Sequence, residues 1–162
     1  MALDNAKLLD EVGWRILGAL QEDGRLSFAE LGRRVGLSLP AVAERVRRLE
    51  EAGIITGYRA EVNLAKIGLT IMAFIRMYTP RDQYPGLIAL LNRLPQALEC
   101  HHLTGSESFI IKIAVTSMAD LETLIGQLSA YGQTTTSIVL SSSLSKKVIT
   151  REAAEAKGTD AP

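Results

Sequence analysis

Two serines, Ser27 and Ser38, each open a stretch with helical spacing, and only Gly36-Leu37 separates the end of the first stretch from the start of the second. That arrangement constrains the chain more than any other feature, because two short helices joined so tightly must cross rather than stack in line. The first begins with Ser27-Phe28-Ala29-Glu30, the spacing of a capping box, and continues its apolar side through Leu31 and Val35. The second is SLPAVAERVRRLEEA, Ser38 to Ala52. Ser38 is placed to accept from the unpaired amides of the first turn, Pro40 sits where a missing N–H does no harm, and Gly53 can take the left-handed conformation that ends a helix. At about 100° per residue, Val42, Val46 and Leu49 form one stripe, whereas Pro40, Glu44, Arg47, Arg48 and Glu51 fall on the opposite side.

A short helix, a glycine-containing turn and an arginine-bearing second helix outline a helix-turn-helix, in which the second helix enters the major groove of double-stranded DNA. Between Arg25 and Arg59 seven basic residues face four acidic ones, a net charge of +3. The whole chain of 162 residues has 18 basic and 18 acidic residues, so any attraction to a polyanion must come from a local patch. The candidate DNA-contacting residues are Ser38, Pro40, Ala41 and Glu44 at the end that meets base edges, with Arg47 and Arg48 toward phosphates. Arg45, on the flank of the apolar stripe, fits either DNA contact or an ion pair inside the domain. Ahead of these helices, Leu9, Val12, Ile16, Leu17 and Leu20 predict another from about Asp10 to Asp23, broken by Gly24. Gly13 inside it suggests a close crossing, and Trp14 reads as a packing residue.

Beyond Gly53 the period changes. Ile54 to Val62 alternates as a strand, a possible wing leading into a linker, and Lys66-Ile67-Gly68 makes a turn. The remainder predicts strand (Thr70–Tyr78, with Arg76 its single charge), helix (Pro85–Leu94), strand (Ala97–Leu103), strand (Phe109–Val115), helix from Ser117 and strand (Thr134–Val148). The order βαββαβ is that of a ferredoxin-like unit, two helices on one face of a four-stranded antiparallel sheet. Its bare face calls for cover, most simply a second subunit. The fold class is therefore α+β: a (winged) helix-turn-helix domain over residues 1–57, a linker strand over 58–68, a βαββαβ domain over 69–149 and a disordered tail over 150–162, where EAAEAKGTDAP lacks an apolar stripe.

Other classes find little support. The single Cys100 allows no internal disulfide and suits a reducing compartment. No apolar run approaches the roughly 20 residues that span a bilayer, and MALDNAKLLDEVGW is acidic without a signal-peptide core, so the expectation is a cytoplasmic protein with no membrane partner. In Cys100-His101-His102, strand alternation turns Cys100 and His102 to one face and His101 to the other, short of the four ligands of a closed zinc site. No catalytic residues, metal or cofactor are assigned: the chain lacks a Ser/His/Asp order, a paired-carboxylate site, a phosphate loop and a Rossmann glycine pattern.

With both halves laid out, the chain resembles the Lrp/AsnC family, the feast/famine transcription regulators, over roughly residues 9–149. The resemblance is carried by Leu9-Asp10, Ile16-Leu17, LSFAELGRRVGLS, Val42, Arg45-Val46, Arg48-Leu49-Glu50, Gly53 and Ile55, then by Thr104-Gly105 before Phe109–Val115 and by Thr136–Leu140. It implies a DNA-binding regulator that forms homodimers, with octamers as a larger assembly, and a C-terminal domain that senses a small-molecule effector such as an amino acid. It also implies that the effector lies at the loop Thr104, Gly105, Ser106, Glu107, Ser108. Family members that sense amino acids commonly carry G-x-x-D there, whereas this chain has serine at the aspartate position, Ser108, with Glu107 beside it. Serine cannot offer an ammonium group the charge-assisted bond that aspartate can. Two other readings share the architecture. One is an enzyme like the sirohaem decarboxylases, whose stretch around the second and third strands is rich in histidine, arginine and aromatics; here HHLTGSESFIIKIAV has neither arginine nor tryptophan. The other is a metabolite-binding oligomer that has lost DNA binding.

Overall fold

The computed structural model describes residues 7–144 and 146–156. They divide into two compact units, one built from the chain up to Ala60 together with the segment from Leu144 onward, the other from Glu61–Ser143.

In the first unit, helix α1 (Glu11–Glu22) starts at Asp10, whose carboxylate accepts from the Gly13 amide at 2.8 Å. Gly13 is buried, and a Cβ there would collide with the Leu8 carbonyl. The close approach that the glycine allows is thus to the preceding turn, not to another helix. Helix α2 (Phe28–Val35) is capped by Ser27, whose side chain accepts from Glu30 N at 3.1 Å, and ends at Gly36 with φ 75°. Helix α3 (Leu39–Glu51) follows, and Gly53 at φ 69° ends it, with the Ile54 amide donating to Leu49 O and the Gly53 amide to Glu50 O, both at 2.9 Å. Ile16, Leu31, Val35, Val42, Val46 and Leu49 form the core, so the stripe read on the second helix of the motif is the buried one.

No strand forms over Ile54–Val62, and so there is no wing. The alternation there has no neighbouring strand to pair with; Tyr58 instead donates its hydroxyl to Glu50 at 2.9 Å. Burial and that glutamate together push the Tyr58 phenol up to about 12.

The second unit has the order β1 (Ile71–Tyr78), α4 (Tyr84–Leu91), β2 (Ala97–His102), β3 (Phe109–Val115), α5 (Met118–Ser129) and β4 (Gln133–Ile138). The strands lie as β2-β3-β1-β4, all neighbours antiparallel. Ala73, Ile75 and Met77 of β1 and Phe109, Ile111, Ile113 and Val115 of β3 point to the helices, where Leu87, Leu91, Leu121, Leu124 and Leu128 meet them. Ser117 accepts from the Asp120 amide at 3.1 Å to start α5. The opposite face carries Met72, Phe74, Arg76, Ile110 and Lys112, none of them fully buried.

β4 is much shorter than Thr134–Val148. Running antiparallel to β1, it ends at Ile138 opposite Ala73, and the last rung is Val139 N to Met72 O at 2.8 Å. Beyond it the chain returns to the first unit, so residues 144–149 belong there and not with the sheet. The expected disorder from 150 is also corrected in part: Thr150 caps a short helix α6 (Arg151–Glu155), while residues 157–162 lie outside the described set.

Candidate nucleic-acid interface and effector site

Helix α3 presents Ser38, Leu39, Pro40, Arg47 and Arg48 as exposed residues, with Ala41 and Glu44 half-buried beside them. Ser38 has cap geometry, with Pro40 in the first turn, but makes no side-chain cap bond. Its hydroxyl is therefore not engaged in capping. Leu39, 54% exposed, was not expected in the interface; an apolar residue at this end suits a thymine methyl group. The clue was its position between a cap residue and Pro40, off the buried stripe.

The charges on this face are paired. Arg47 grips Glu44 with two bonds, Nη2 to Oε1 at 2.8 Å and Nε to Oε2 at 2.9 Å, and also reaches Glu51. Arg48 Nε donates to the same Glu44 Oε1 at 2.7 Å. The Arg47 and Arg48 guanidiniums together hold the Glu44 carboxyl down at about 2, and Glu44 pushes Arg47 further upward. On this face Arg47 and Arg48 stand against Glu44 and Glu51, so the basic face read from the sequence is a neutral, interlocked one. Arg45 stands apart: it pairs with Asp10 at the start of α1, its side chain only 24% exposed. That makes it a brace between α1 and α3.

In the second unit, the β2–β3 loop folds over the end of β1. Ser108 N donates to Met77 O at 2.7 Å, and the Ser108 hydroxyl donates to Thr79 O at 3.2 Å while accepting from Thr79 N at 3.3 Å. Ser108 thus fastens the loop to the end of β1. Ser106 and Glu107 instead line a recess of about 480 Å³ on the open sheet face with Arg76, Tyr78, Gln133 and Thr135. Arg76 Nη1 and Glu107 Oε1 face each other there at 3.6 Å, both partly exposed. Thr104 and Gly105 do not line it; Gly105, at φ 109°, shapes the loop. The strand residues were missed because β1 and β4 are far from the loop in sequence, although the lone charge of Arg76 in an apolar strand was a visible signal. On β2, Cys100 and His102 register with Ile111 and Phe109, and His101 with Ile110 on the other face. His102 stacks on Phe109 with ring centres 4.9 Å apart, while Glu99, pulled below its usual range mainly by Lys112 at 2.8 Å, pairs across the open face.

A helix-turn-helix joined in one chain to a ferredoxin-like domain with an open, charged recess defines a one-component transcription regulator, reader and sensor in a single polypeptide. Residues 9–50 match the AsnC-type helix-turn-helix domain, and residues 72–149 match the Lrp/AsnC ligand binding domain. The chain belongs to the Lrp/AsnC family. It is 41% identical over 135 residues to the HTH-type transcriptional regulator YezC of Bacillus subtilis (strain 168), covering 83% of this chain and 96% of that one. The solved LrpC of B. subtilis superposes with TM-score 0.80 at 35% identity, covering 83% and 96%. A transcriptional regulator of Neisseria meningitidis, solved as its L-methionine complex, superposes with TM-score 0.81 at 31% identity, covering 87% and 96%. The chain is thus a DNA-binding transcription regulator with a ligand-binding domain and not an enzyme. Among the described residues no helix is long and apolar enough to cross a membrane.

Proposed function

We propose that this regulator recognises specific DNA sequences as a homodimer, or an octamer built from dimers, under the control of an amino acid bound in the recess that Arg76 and Glu107 line. The observation that carries the reading is the loose, partly exposed pairing of these two charges at 3.6 Å in the wall of a recess large enough for a small molecule. An α-amino acid is a zwitterion. Its carboxylate matches the Arg76 guanidinium and its ammonium matches Glu107, each as a charge-assisted hydrogen bond. Glu107 thereby supplies the negative charge that Ser108 does not. The L-methionine complex of the Neisseria relative supports an amino acid as the class of ligand.

Half-buried Met72, Phe74 and Ile110 on the open sheet face favour a second copy packing there, which would place the recess at or near a subunit boundary. Two recognition helices would then enter successive major grooves with half-sites about 10 bp apart or a multiple of that. The effector acts by binding one assembly state better than another. The test is calorimetric titration of the full chain with the twenty amino acids, alongside capture of bound genomic DNA with and without each binder. Heat from at least one amino acid, lost in Arg76→Ala, supports the reading. No binding to any of them removes the effector half, and equal retention of all genomic fragments removes the DNA half.

A further inference from the structure

The C-terminal segment is held on α1 by a side chain that imitates a strand. Gln21 Nε2 donates to Ile149 O at 3.1 Å, and Ile149 N donates to Gln21 Oε1 at 2.9 Å. A primary amide has the donor and acceptor of a peptide group, and this reciprocal exchange is what one hydrogen-bonded residue pair makes in an antiparallel ladder. Gln21 thus adds a single rung to an extended peptide without a second strand. Ile149 also lines an apolar groove of about 350 Å³ with Trp14, Leu17, Leu20, Ile55 and Tyr58. Immediately after it, Thr150 and Arg151 lie along the same helix beside Trp14, Arg15 and Gly18.

We propose that Gln21 and the Trp14-lined groove are a built, releasable seat for residues 148–151, which makes the C-terminal segment a second anchor of the DNA-binding unit. Chain connectivity gives the seat its meaning. The sheet unit is an insertion, entered at Glu61 and left at Ser143, so the reader is joined to it at both ends as long as the seat is filled. The contacts are few and Ile149 remains 63% exposed, too little to hold a free peptide. Tethering supplies an effective concentration in the millimolar range for a short link, which is enough to fill such a seat without locking it. A change that draws the end of β4 away empties the seat and leaves the reader on its amino-terminal link alone. The seat is independent of which ligand the recess takes.

Hydrogen exchange of the full-length protein tests this directly, read at the Ile149 amide and compared with Gln21→Ala and Gln21→Glu. Gln21 is exposed at the end of α1, so both variants keep the helix, which circular dichroism verifies. Ile149 is expected to be protected in the parent chain and to exchange about fivefold faster in Gln21→Ala. Gln21→Glu, which keeps the acceptor for Ile149 N–H, is expected to fall between the two. Trp14, the single tryptophan, should shift its emission to the red in Gln21→Ala as the groove opens. An Ile149 amide that exchanges at the unprotected rate in the parent chain, or equally fast in parent and Gln21→Ala, overturns the proposal.

Discussion

Arg47 and Arg76 are both solvent-accessible guanidiniums opposite a glutamate, yet they are held in different ways. Arg47 meets Glu44 through two bonds at 2.8 and 2.9 Å and Glu51 besides, all on one helix, where residues three and four apart are natural neighbours. Arg76 and Glu107 come from a strand and a distant loop and stop at 3.6 Å. The first is a closed circuit that only a competing anion such as a phosphate row can open. The second is a loose pair beside an open recess, and a ligand carrying both signs can part its members. Charge count alone would not separate them; geometry does.

The largest effect expected is on the closed circuit. Arg47→Ala with Arg48→Ala should weaken binding to a captured DNA fragment by roughly a hundredfold at low salt and flatten the salt dependence by about two units of log–log slope at most. Fluorescence anisotropy across a salt series measures both, and an unchanged slope would take these arginines off the phosphate. Next comes the open pair: Arg76→Ala or Glu107→Gln should each reduce amino-acid affinity by about tenfold or more in calorimetry, while DNA binding without effector stays as it was. Glu44→Gln sharpens the contrast, since it frees both guanidiniums without removing either. Affinity for random duplex should rise by a few fold, and discrimination between fragments should fall.

Glu44 also sets a pH expectation. Its folded pKa is depressed to about 2, so its contribution is present above the ordinary carboxylate value of 4.5 and lost as pH falls through about 2. The carboxyl resonance of Glu44 should therefore titrate near the bottom of that window, and DNA binding above pH 5 should show no step from it. Smaller still is Ser108→Ala, which strands the Thr79 amide and carbonyl at a cost of about 1–2 kcal/mol in urea unfolding, with amino-acid affinity unchanged. Smallest is Ser38→Ala. With no cap bond to lose, it should shift stability by less than about 0.5 kcal/mol, and its effect belongs in fragment preference.

Those serines also show what a sequence can reveal. Helix starts at Asp10, Ser27 and Ser117, the stops at Gly36 and Gly53, and the order βαββαβ follow from local rules, and the structure has them. Whatever depends on a distant neighbour was not legible. Ile54–Val62 alternates like a strand, but no strand among the described residues pairs with it, and β4 stops opposite Ala73 and not where its β-branched run ends. Ser108 stands at the position of a ligand residue and also fastens the loop, a bond that spacing could not place because Thr79 lies far off in sequence. The arginines of α3 were visible as charge, but their pairing depended on rotamers that periodicity does not give.

The return of the chain to α1 has a consequence for the order in which the molecule can be made. Synthesis delivers α1, α2 and α3 first, yet Ile149 follows Ala60 by a stretch that takes on the order of ten seconds to translate. Throughout that interval the nascent helices have their own core but an uncovered hollow beside Trp14. The reading head is therefore among the earliest parts to fold and the last to be finished, and a ribosome that stops short of the final turn releases one whose flank is still bare.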